Sequence, residues 1–305
     1  MKILITGASG LFGINFALNL YQQHQIIGIS NNRSLYNTPF EMKQVDLGDF
    51  PVLAPLLQQT KPDLLIHCAA MANVDDCEKN PDLAQKINAD LAGELAGITS
   101  RLGIQMVHLS TDAVFDGKTG NYLETDATHP INKYAETKLA GEKMVAEANP
   151  DCIIARVNFY GYSLSGKRSL GELFVGQLSA GKSMMGFTDV YFCPFHILQL
   201  SDLLMQMAEM QLKGLFHVVN DECLSKYEFG CRIARKFGFD EKKIIPTSWR
   251  DAGLVANRSP QLTLNITKLK EYLKSPLPDQ DACLESFYNL YRKNYPQQIR
   301  SFLLQ

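Results

Sequence analysis

Tyr134 and Lys138 are side chains with complementary acid–base chemistry, four residues apart in a segment of helical composition. Positions four apart share one face of a helix, so we expect the phenol and the ammonium to lie side by side. A neighbouring ammonium stabilises the phenolate and would bring the phenol pKa down from about 10 toward neutral pH. The pair predicts a proton donor and acceptor. A plain amphipathic helix with a surface lysine is the alternative.

Two hydroxyl side chains, Ser110 and Thr111, follow an apolar run at 104–109. If that run is a central strand, both hydroxyls lie at its carboxyl end, where open α/β sheets bind their ligands. A hydroxyl in this position can hydrogen-bond a substrate carbonyl oxygen beside Tyr134. Capping of the following turn is the alternative for both residues.

Three glycines spaced three apart, Gly7, Gly10 and Gly13, follow the apolar run at 3–5. Gly7 permits a tight turn, Gly10 lets the backbone approach a phosphate, and Gly13 lets a helix pack close to a sheet. The free N–H groups at the start of such a helix attract anions. The spacing therefore predicts a cradle for a diphosphate, with a plain strand-to-helix connection as the alternative.

The elements that must position these residues alternate along the first half of the chain. This alternation predicts an α/β fold with a Rossmann-type doubly wound parallel sheet. The expected strands are 2–6, 25–30, 41–45, 63–68, 104–109 and 152–157, and the expected helices 11–23, 50–59, 82–102 and 133–148. Beyond residue 160 we expect a strand at 216–219 and helices at 169–181, 225–237, 267–274 and 280–292.

This rhythm divides the chain into two parts. We expect a dinucleotide-binding Rossmann domain at 1–160, to which segments near 185–220 return. Residues 161–305 should form mainly a smaller, interleaved substrate-binding lobe.

Composition argues against several other classes of protein. The 305 residues carry a net charge of −2, which gives no electrostatic footprint for nucleic acid or an anionic membrane. No apolar run reaches the roughly 20 residues of a membrane span, and the N-terminal core strand leaves no room for a signal peptide. Seven cysteines without a Cys-x-x-Cys pair predict reduced thiols in a cytoplasmic protein. Asp75, Asp76 and Glu78 have no nearby histidine, so they predict a helix start and no metal site.

Taken together, these motifs resemble the extended short-chain dehydrogenase/reductases, and within them the dTDP-4-dehydrorhamnose reductase group. The resemblance extends over essentially the whole chain and is densest over 1–160. It rests on the glycine pattern, on Tyr134 with Lys138, and on segments 67–70, 74–78, 110–117 and 134–142. Segment 214–219 and Arg258 add weaker support.

The resemblance implies an NAD(P)H-dependent reductase of a keto group on a nucleotide-diphosphate sugar. It implies that Tyr134 protonates the substrate oxygen, that Lys138 also holds the nicotinamide ribose, and that Thr111 orients the ketone. With the motifs, it predicts cofactor-binding residues Gly7, Gly10, Leu11, Phe12, Gly13, Ser30, Asn31, Arg33, Asp46, Leu47, Cys68, Ala69, Ala70, Asn88, Tyr134 and Lys138. It predicts substrate-binding residues Ser110, Asp112, Phe159 and Arg258. Asn88 has a satisfied buried polar group as its alternative, and the assembly has a homodimer as an open option.

Cofactor choice follows from the segment after the second strand. NAD-selective sites place a carboxylate there, against the ribose 2′-hydroxyl. Here the segment contains Asn31, Asn32 and Arg33 but no acid. A cation with small polar groups suits a 2′-phosphate, so we expect NADP(H), with NAD(H) as the second choice. A solvated Arg33 is the alternative.

Other positions depart from the resemblance. Ala113 stands where the group has an aromatic residue, Asn158-Phe159 stands where it has Ser-Trp, and the segment 193–196 also differs. These departures argue against the rhamnose precursor itself as substrate. Two further functions stay open: a non-catalytic nucleotide-binding regulatory subunit resembling the methionine adenosyltransferase beta subunit, and an epimerase or dehydratase of the same superfamily. A dehydratase needs an acid–base pair after the threonine, and Asp112-Ala113 supplies only the aspartate.

Overall fold

The structure is a computed structural model that describes residues 1–251 and 259–304. Its strands are β1 (Lys2–Thr6), β2 (Gln25–Ser30), β3 (Glu41–Gln44), β4 (Leu64–His67), β5 (Gln105–Thr111), β6 (Ile153–Val157), β7 (Phe159–Tyr160), β8 (Met184–Phe187), β9 (Tyr191–Phe192), β10 (Phe195–His196), β11 (Gly214–Val218), β12 (Leu224–Ser225), β13 (Ile244–Thr247) and β14 (Gln261–Leu262). Its helices are α1 (Leu11–Leu20), α2 (Leu53–Thr60), α3 (Val74–Lys79), α4 (Pro81–Gln85), α5 (Leu91–Leu102), α6 (Lys133–Ala148), α7 (Leu170–Ser179), α8 (Ile197–Glu209), α9 (Lys226–Phe237), α10 (Thr267–Lys270), α11 (Gln280–Arg292) and α12 (Tyr295–Ser301).

Seven parallel strands form the central sheet, in the order β11-β6-β5-β4-β1-β2-β3. The strand order reverses between β1 and β4, where Thr6 pairs with His67. Doubly wound sheets bind ligands at this kind of switch point, outside the carboxyl ends of the strands. The expected Rossmann-type fold is confirmed.

Helices cover both faces of this sheet. Alternate residues of β1 show the two layers, because Ile3 and Ile5 pack with Phe16 of α1, whereas Leu4 packs with Leu57 of α2. All five of these side chains are fully buried. A parallel sheet covered in this way needs nearly continuous apolar strands, which explains the short apolar runs of the sequence.

The second half of the chain builds a smaller lobe and also returns to the main sheet. Its strands pair as β10-β7, as β12-β9-β14 and as β13-β8. Helix α8 packs against α1, and β11 joins the central sheet beside β6. The returning segment is therefore α8 with β11, and the division of the chain near residue 160 stays a prediction.

The helix expected at 82–102 is interrupted in the structure. Helix α4 runs into a single π-helical turn at Lys86–Asp90, and α5 continues from it. Turns of this kind recur near functional sites. Helix α6 approaches the turn closely, since a Cβ on Gly141 would lie 2.4 Å from the Asn88 carbonyl oxygen. The acids at 75 and 76 fall in the first turn of α3, as expected, after the capping side chain of Asn73.

The expectation of seven reduced cysteines is wrong for two of them. Cys193 and Cys223 form a disulfide, and their Cα atoms are 4.0 Å apart. The cause is the antiparallel pairing of β9 with β12, which sets Phe192 opposite Leu224 and so brings the next residue on one strand against the preceding residue on the other. The remaining five thiols are free, and four of them are buried.

This disulfide closes a loop of 30 residues, so we expect it to contribute to stability. Chain-entropy estimates for a loop of that length give about 3 to 4 kcal/mol. Cys223→Ser should therefore lower the free energy of unfolding in urea by about 2 to 4 kcal/mol. Dithiothreitol should lower wild-type stability similarly and leave Cys223→Ser unchanged. If dithiothreitol left the urea unfolding transition of the wild-type protein unchanged, this prediction would be contradicted.

In the described part of the chain no helix is both long enough and apolar enough to cross a membrane.

Candidate active site

The turn between β1 and α1 has the geometry expected of an anion cradle. Gly7 has a φ of +72°, and the N–H of Gly10 donates to the Gly7 carbonyl oxygen at 2.8 Å. A Cβ on Gly7 would lie 2.8 Å from the backbone of Ala69, and a Cβ on Gly13 would lie 2.4 Å from the Gly7 carbonyl oxygen. Gly7 and Gly13 are therefore required by backbone contacts, and the start of α1 lies open beside them.

Two adjoining cavities lie over this turn. The inner cavity, of about 380 Å³, extends from the turn to Tyr134 and Lys138. The outer cavity, of about 640 Å³, extends from the same turn past Asn31 and Leu47 at the ends of β2 and β3. The stretch that both cavities share is lined by Gly7, Ser9, Gly10, Arg33, Cys68, Ala70 and Arg168. Together they form one elongated site, suited to a ligand with two ends.

The charged side chains that line this site are all positive. Arg33, Lys138 and Arg168 line it, and the described residues that line either cavity include no aspartate or glutamate. Low-dielectric walls with charges of one sign favour a ligand of the opposite sign. The site is therefore suited to an anion.

Tyr134 reaches the inner cavity from the first turn of α6. The side chain of Asn132 caps that helix by accepting from the Ala135 N–H at 2.9 Å, which fixes where the helix begins. Burial raises the pKa of Tyr134 to about 12, while a hydrogen bond with the Thr111 side chain acts in the opposite direction. The expectation that Lys138 brings this pKa toward neutrality is therefore wrong, and the phenol stays protonated at neutral pH.

A hydrogen bond holds the side chain of Lys138 against β5. Its Nζ donates to the Leu109 carbonyl oxygen at 2.7 Å and lies 3.4 Å from His108 Nε2. Burial lowers the pKa of Lys138 to about 8, against the attraction of Glu142 and Cys68. The strand therefore orients the ammonium, which explains why it does not act on the phenol as the helical spacing suggested.

Two stacked histidines lie beneath this lysine. The ring centroids of His67 and His108 are 5.2 Å apart, and both side chains are fully buried. Burial lowers the pKa of His67 to about 3 and that of His108 well below its usual value, with Lys138 adding to both shifts. Both rings are neutral at physiological pH, so His108 Nε2 can accept a hydrogen bond from the ammonium.

Ser110 lines the inner cavity, but its hydroxyl proton is directed at Glu142 and away from the cavity. Its Oγ donates to Glu142 Oε1 at 2.5 Å, and Glu142 is paired with Arg156 at 2.8 Å. Both charged side chains are buried. The Ser110 hydroxyl can therefore accept a hydrogen bond from a ligand, and the expected donation to a substrate carbonyl conflicts with this geometry.

Thr111 and Asp112 occupy the turn that follows β5. Thr111 Oγ1 accepts from the Ala113 N–H and donates to Asp112 Oδ1, both at 3.2 Å, so this hydroxyl caps the turn. Asp112 Oδ2 accepts from Asn158 Nδ2 at 2.5 Å. Burial raises the pKa of Asp112 to about 6, although these hydrogen bonds oppose the shift. Neither residue lines the two cavities.

The other residues expected in the site divide into two groups. Those that line a cavity are Gly7, Gly10, Leu11, Phe12, Gly13, Asn31, Arg33, Leu47, Cys68, Ala69, Ala70 and Phe159. Those outside the linings are Ser30, which is a buried strand residue, Asp46 and Asn88. Arg258 lies outside the described residues.

Asp46 and Asn88 support neighbouring backbone. Asp46 Oδ1 accepts from the Gly48 N–H at 2.9 Å, and Gly48 lines the outer cavity. Asn88 accepts from the Met71 N–H at 2.8 Å and donates to Thr137 Oγ1 at 3.0 Å. Asn88 is therefore a buried polar side chain with satisfied hydrogen bonds, as the alternative for this residue predicts.

Sequence reasoning missed several residues that line the site. They are Ser9, Asn32, Gly48, Met71, Ala72, Leu83, Ile87, Leu91, Leu109, Val157, Ser163, Leu164, Ser165 and Arg168. Arg168 is the charged one among them. No motif of the sequence indicates that the loop before α7, which carries Arg168, lies over the glycine turn.

Comparisons with known proteins agree with this geometry. A family model described as RmlD substrate binding domain matches residues 1–293. The chain belongs to the RmlD substrate-binding domain family. One relative, described as the probable low-salt glycan biosynthesis reductase Agl14 of Haloferax volcanii, is 31% identical over 301 residues, covering 95% of this chain and 99% of the relative.

Two further matches carry different descriptions. The methionine adenosyltransferase 2 subunit beta of Bos taurus is 31% identical over 268 residues, covering 85% of this chain and 78% of the relative. A crystal structure of dTDP-4-dehydrorhamnose reductase from Bacillus anthracis in complex with NADP is 26% identical and superposes with a TM-score of 0.84, over 94% of this chain and 98% of that one. The resemblance to extended short-chain dehydrogenase/reductases, with the dTDP-4-dehydrorhamnose reductase group among them, is confirmed.

Proposed function

We propose that this protein is an NADP(H)-dependent reductase of a keto group on a nucleotide-diphosphate sugar. The observation that carries the proposal is the joined pair of cavities, which carries three cations and ends at the phenol of Tyr134. Membership of the RmlD family and the likeness to a reductase that binds NADP support it.

The residues present fit a dinucleotide. The diphosphate would lie at the glycine turn, where a Cβ on Gly10 would meet only the Gly7 carbonyl oxygen, at 3.0 Å. One nucleoside would occupy the outer cavity beside Leu47 and Ala69, and the nicotinamide riboside would occupy the inner cavity near Lys138. When bound, the nicotinamide supplies the hydride that a ketone reduction needs.

The chain itself would supply the proton and the orientation. Because burial holds the pKa of Tyr134 at about 12, the phenol is protonated at neutral pH and can donate to the substrate oxygen as negative charge develops there. The Thr111 side chain lies beside the phenol, where it opposes the rise in the pKa of Tyr134. Phe12 and Phe159 line the inner cavity, and their ring centroids are 5.5 Å apart in an edge-to-face arrangement. These two rings would exclude water from one wall of the cavity.

The test is oxidation of NADPH, followed at 340 nm, across a panel of nucleotide-diphosphate keto sugars that includes dTDP-4-dehydrorhamnose. We expect ketone-dependent oxidation with at least one member. Wild-type protein that binds NADPH yet oxidises it with no member of the panel would overturn the proposal.

The titration of Lys138 predicts a pH dependence of cofactor binding. The ammonium, with a pKa of about 8 in the free protein, attracts an anionic cofactor, and binding in turn stabilises the charged form. The dissociation constant for NADPH should therefore rise about tenfold between pH 7 and pH 9, as the free protein loses this proton. Calorimetric titration would check it, and Lys138→Met should flatten the profile. An equally steep profile in that variant would assign the dependence to another group.

NADPH rather than NADH is the proposed cofactor, since Arg33 follows β2 and lines both cavities. Arg33→Ala should weaken NADPH binding by about tenfold or more, the value of a charge-assisted hydrogen bond, and leave NADH binding unchanged. Dissociation constants for both cofactors would check this. Equal affinities of the wild-type protein for both cofactors would remove the role of Arg33.

A regulatory subunit is the second candidate. The specific observation in its favour is the 31% identity to the methionine adenosyltransferase 2 subunit beta over 85% of the chain. A protein of that kind would bind the dinucleotide and leave every ketone of the panel unreduced. The same assay therefore separates the two functions.

A further inference from the structure

Two arginines line the stretch that the inner and outer cavities share. Arg33 comes from the segment after β2 of the central sheet, and Arg168 comes from the loop before α7. Both side chains line both cavities. Within residues 1–251 and 259–304, no carboxylate lies within ion-pair distance of either guanidinium. Two positive charges thus line the shared stretch without a counter-ion among the described residues.

The loop that carries Arg168 is fixed by a buried carboxylate. Glu172 accepts from the backbone N–H groups of Ser163 at 2.6 Å, Arg168 at 3.0 Å and Ser169 at 3.2 Å. It also accepts from the Ser163 hydroxyl, at 2.8 and 3.0 Å. The oxygens of Glu172 are therefore occupied by the loop itself, and the guanidinium of Arg168 extends over the cavities from an anchored backbone.

We propose that Arg168 binds the diphosphate of the dinucleotide from the side opposite the glycine turn. This inference rests on the proposed function, in which a dinucleotide occupies both cavities. The stretch shared by the cavities contains Gly7 and Gly10, whose turn and following helix favour a diphosphate. A guanidinium offers two parallel donors to phosphate oxygens. Arg33, at the end of β2, then serves the adenosine ribose and its 2′-phosphate.

The experiment compares Arg168→Ala with Lys167→Ala, a neighbouring exposed cation that lines neither cavity, so both variants lose the same charge. Dissociation constants are measured by calorimetry for NADPH, NADH, ADP-ribose, adenosine 2′-monophosphate and dTDP. Arg168→Ala should weaken binding of NADPH, NADH and ADP-ribose by one common factor, about tenfold or more. It should leave adenosine 2′-monophosphate and dTDP unchanged, and Lys167→Ala should change none of the five. Arg168→Lys should recover part of the loss.

Three results would overturn the inference. Affinities unchanged in Arg168→Ala would show that Arg168 does not contact the diphosphate. The proposed function would still stand if the wild-type protein binds NADPH. A loss confined to NADPH and adenosine 2′-monophosphate would move Arg168 to the 2′-phosphate. A loss for dTDP with ADP-ribose unaffected would move it to the substrate. Failure of the proposed function is a separate result, namely wild-type protein that binds NADPH but reduces no ketone.

Discussion

Tyr134→Phe should lower turnover of the keto substrate by a factor of about 10² to 10⁴, the usual contribution of a positioned general acid. The substitution removes the phenolic proton, and Ser110 cannot replace it because its own proton is donated to Glu142 at 2.5 Å. The variant keeps the aromatic ring that lines the inner cavity, so NADPH affinity should change little. Steady-state rates and calorimetric titration of the same preparation would check both statements.

Tyr122→Phe is the matched control. Tyr122 is also a buried phenol, it donates to Asp116 Oδ1 at 2.7 Å, and it lines neither cavity. This variant should keep the wild-type rate while losing some stability. If Tyr134→Phe retained the wild-type rate, Tyr134 would not be the acid.

Glu142→Gln should lower the free energy of unfolding by about 3 to 5 kcal/mol, the cost of leaving a buried charge without its partner. The guanidinium of Arg156 is 3% exposed, and it donates to Glu142 through Nε at 2.9 Å and through Nη2 at 2.8 Å. His217, whose Nε2 lies 3.3 Å from Arg156 Nη1, cannot replace the carboxylate, because burial lowers the pKa of His217 to about 4 and the ring is neutral. Urea unfolding would measure the loss.

A double variant separates the pair from its surroundings. Glu142→Leu combined with Arg156→Met removes both charges and keeps comparable volume, so it should be much closer to wild type than Glu142→Gln. A single variant that lost less than about 1 kcal/mol would show that the buried pair does not need its carboxylate.

Local patterns were sufficient to predict the fold and the floor of the site. The glycine spacing follows from steric requirements of one turn, and the structure meets them at Gly7 and Gly13. The apolar runs follow from burial of parallel strands on both faces. The helix that carries Tyr134 and Lys138 begins and ends where its pattern indicates, at Lys133 and Ala148.

Other features depend on contacts between distant segments, which spacing alone does not reveal. The orientation of Lys138 depends on the carbonyl of Leu109, and that of Ser110 depends on Glu142, 32 residues away. The disulfide of Cys193 with Cys223 depends on the pairing of β9 with β12. Arg168 lines the cavity over the glycine turn because hydrogen bonds to Glu172 fix the backbone of its loop. The composition of the loop itself does not indicate this position.

Deuterium transfer from the cofactor to the sugar would show directly that this protein reduces a keto sugar. NADPH carrying deuterium at both C4 positions is incubated with the protein and the keto-sugar panel, and the sugar products are examined by mass spectrometry. We expect a reduced sugar nucleotide with one deuterium on the new carbinol carbon, formed by wild-type protein and greatly diminished with Tyr134→Phe. Wild-type protein that binds the labelled cofactor but leaves every sugar of the panel unlabelled would contradict it.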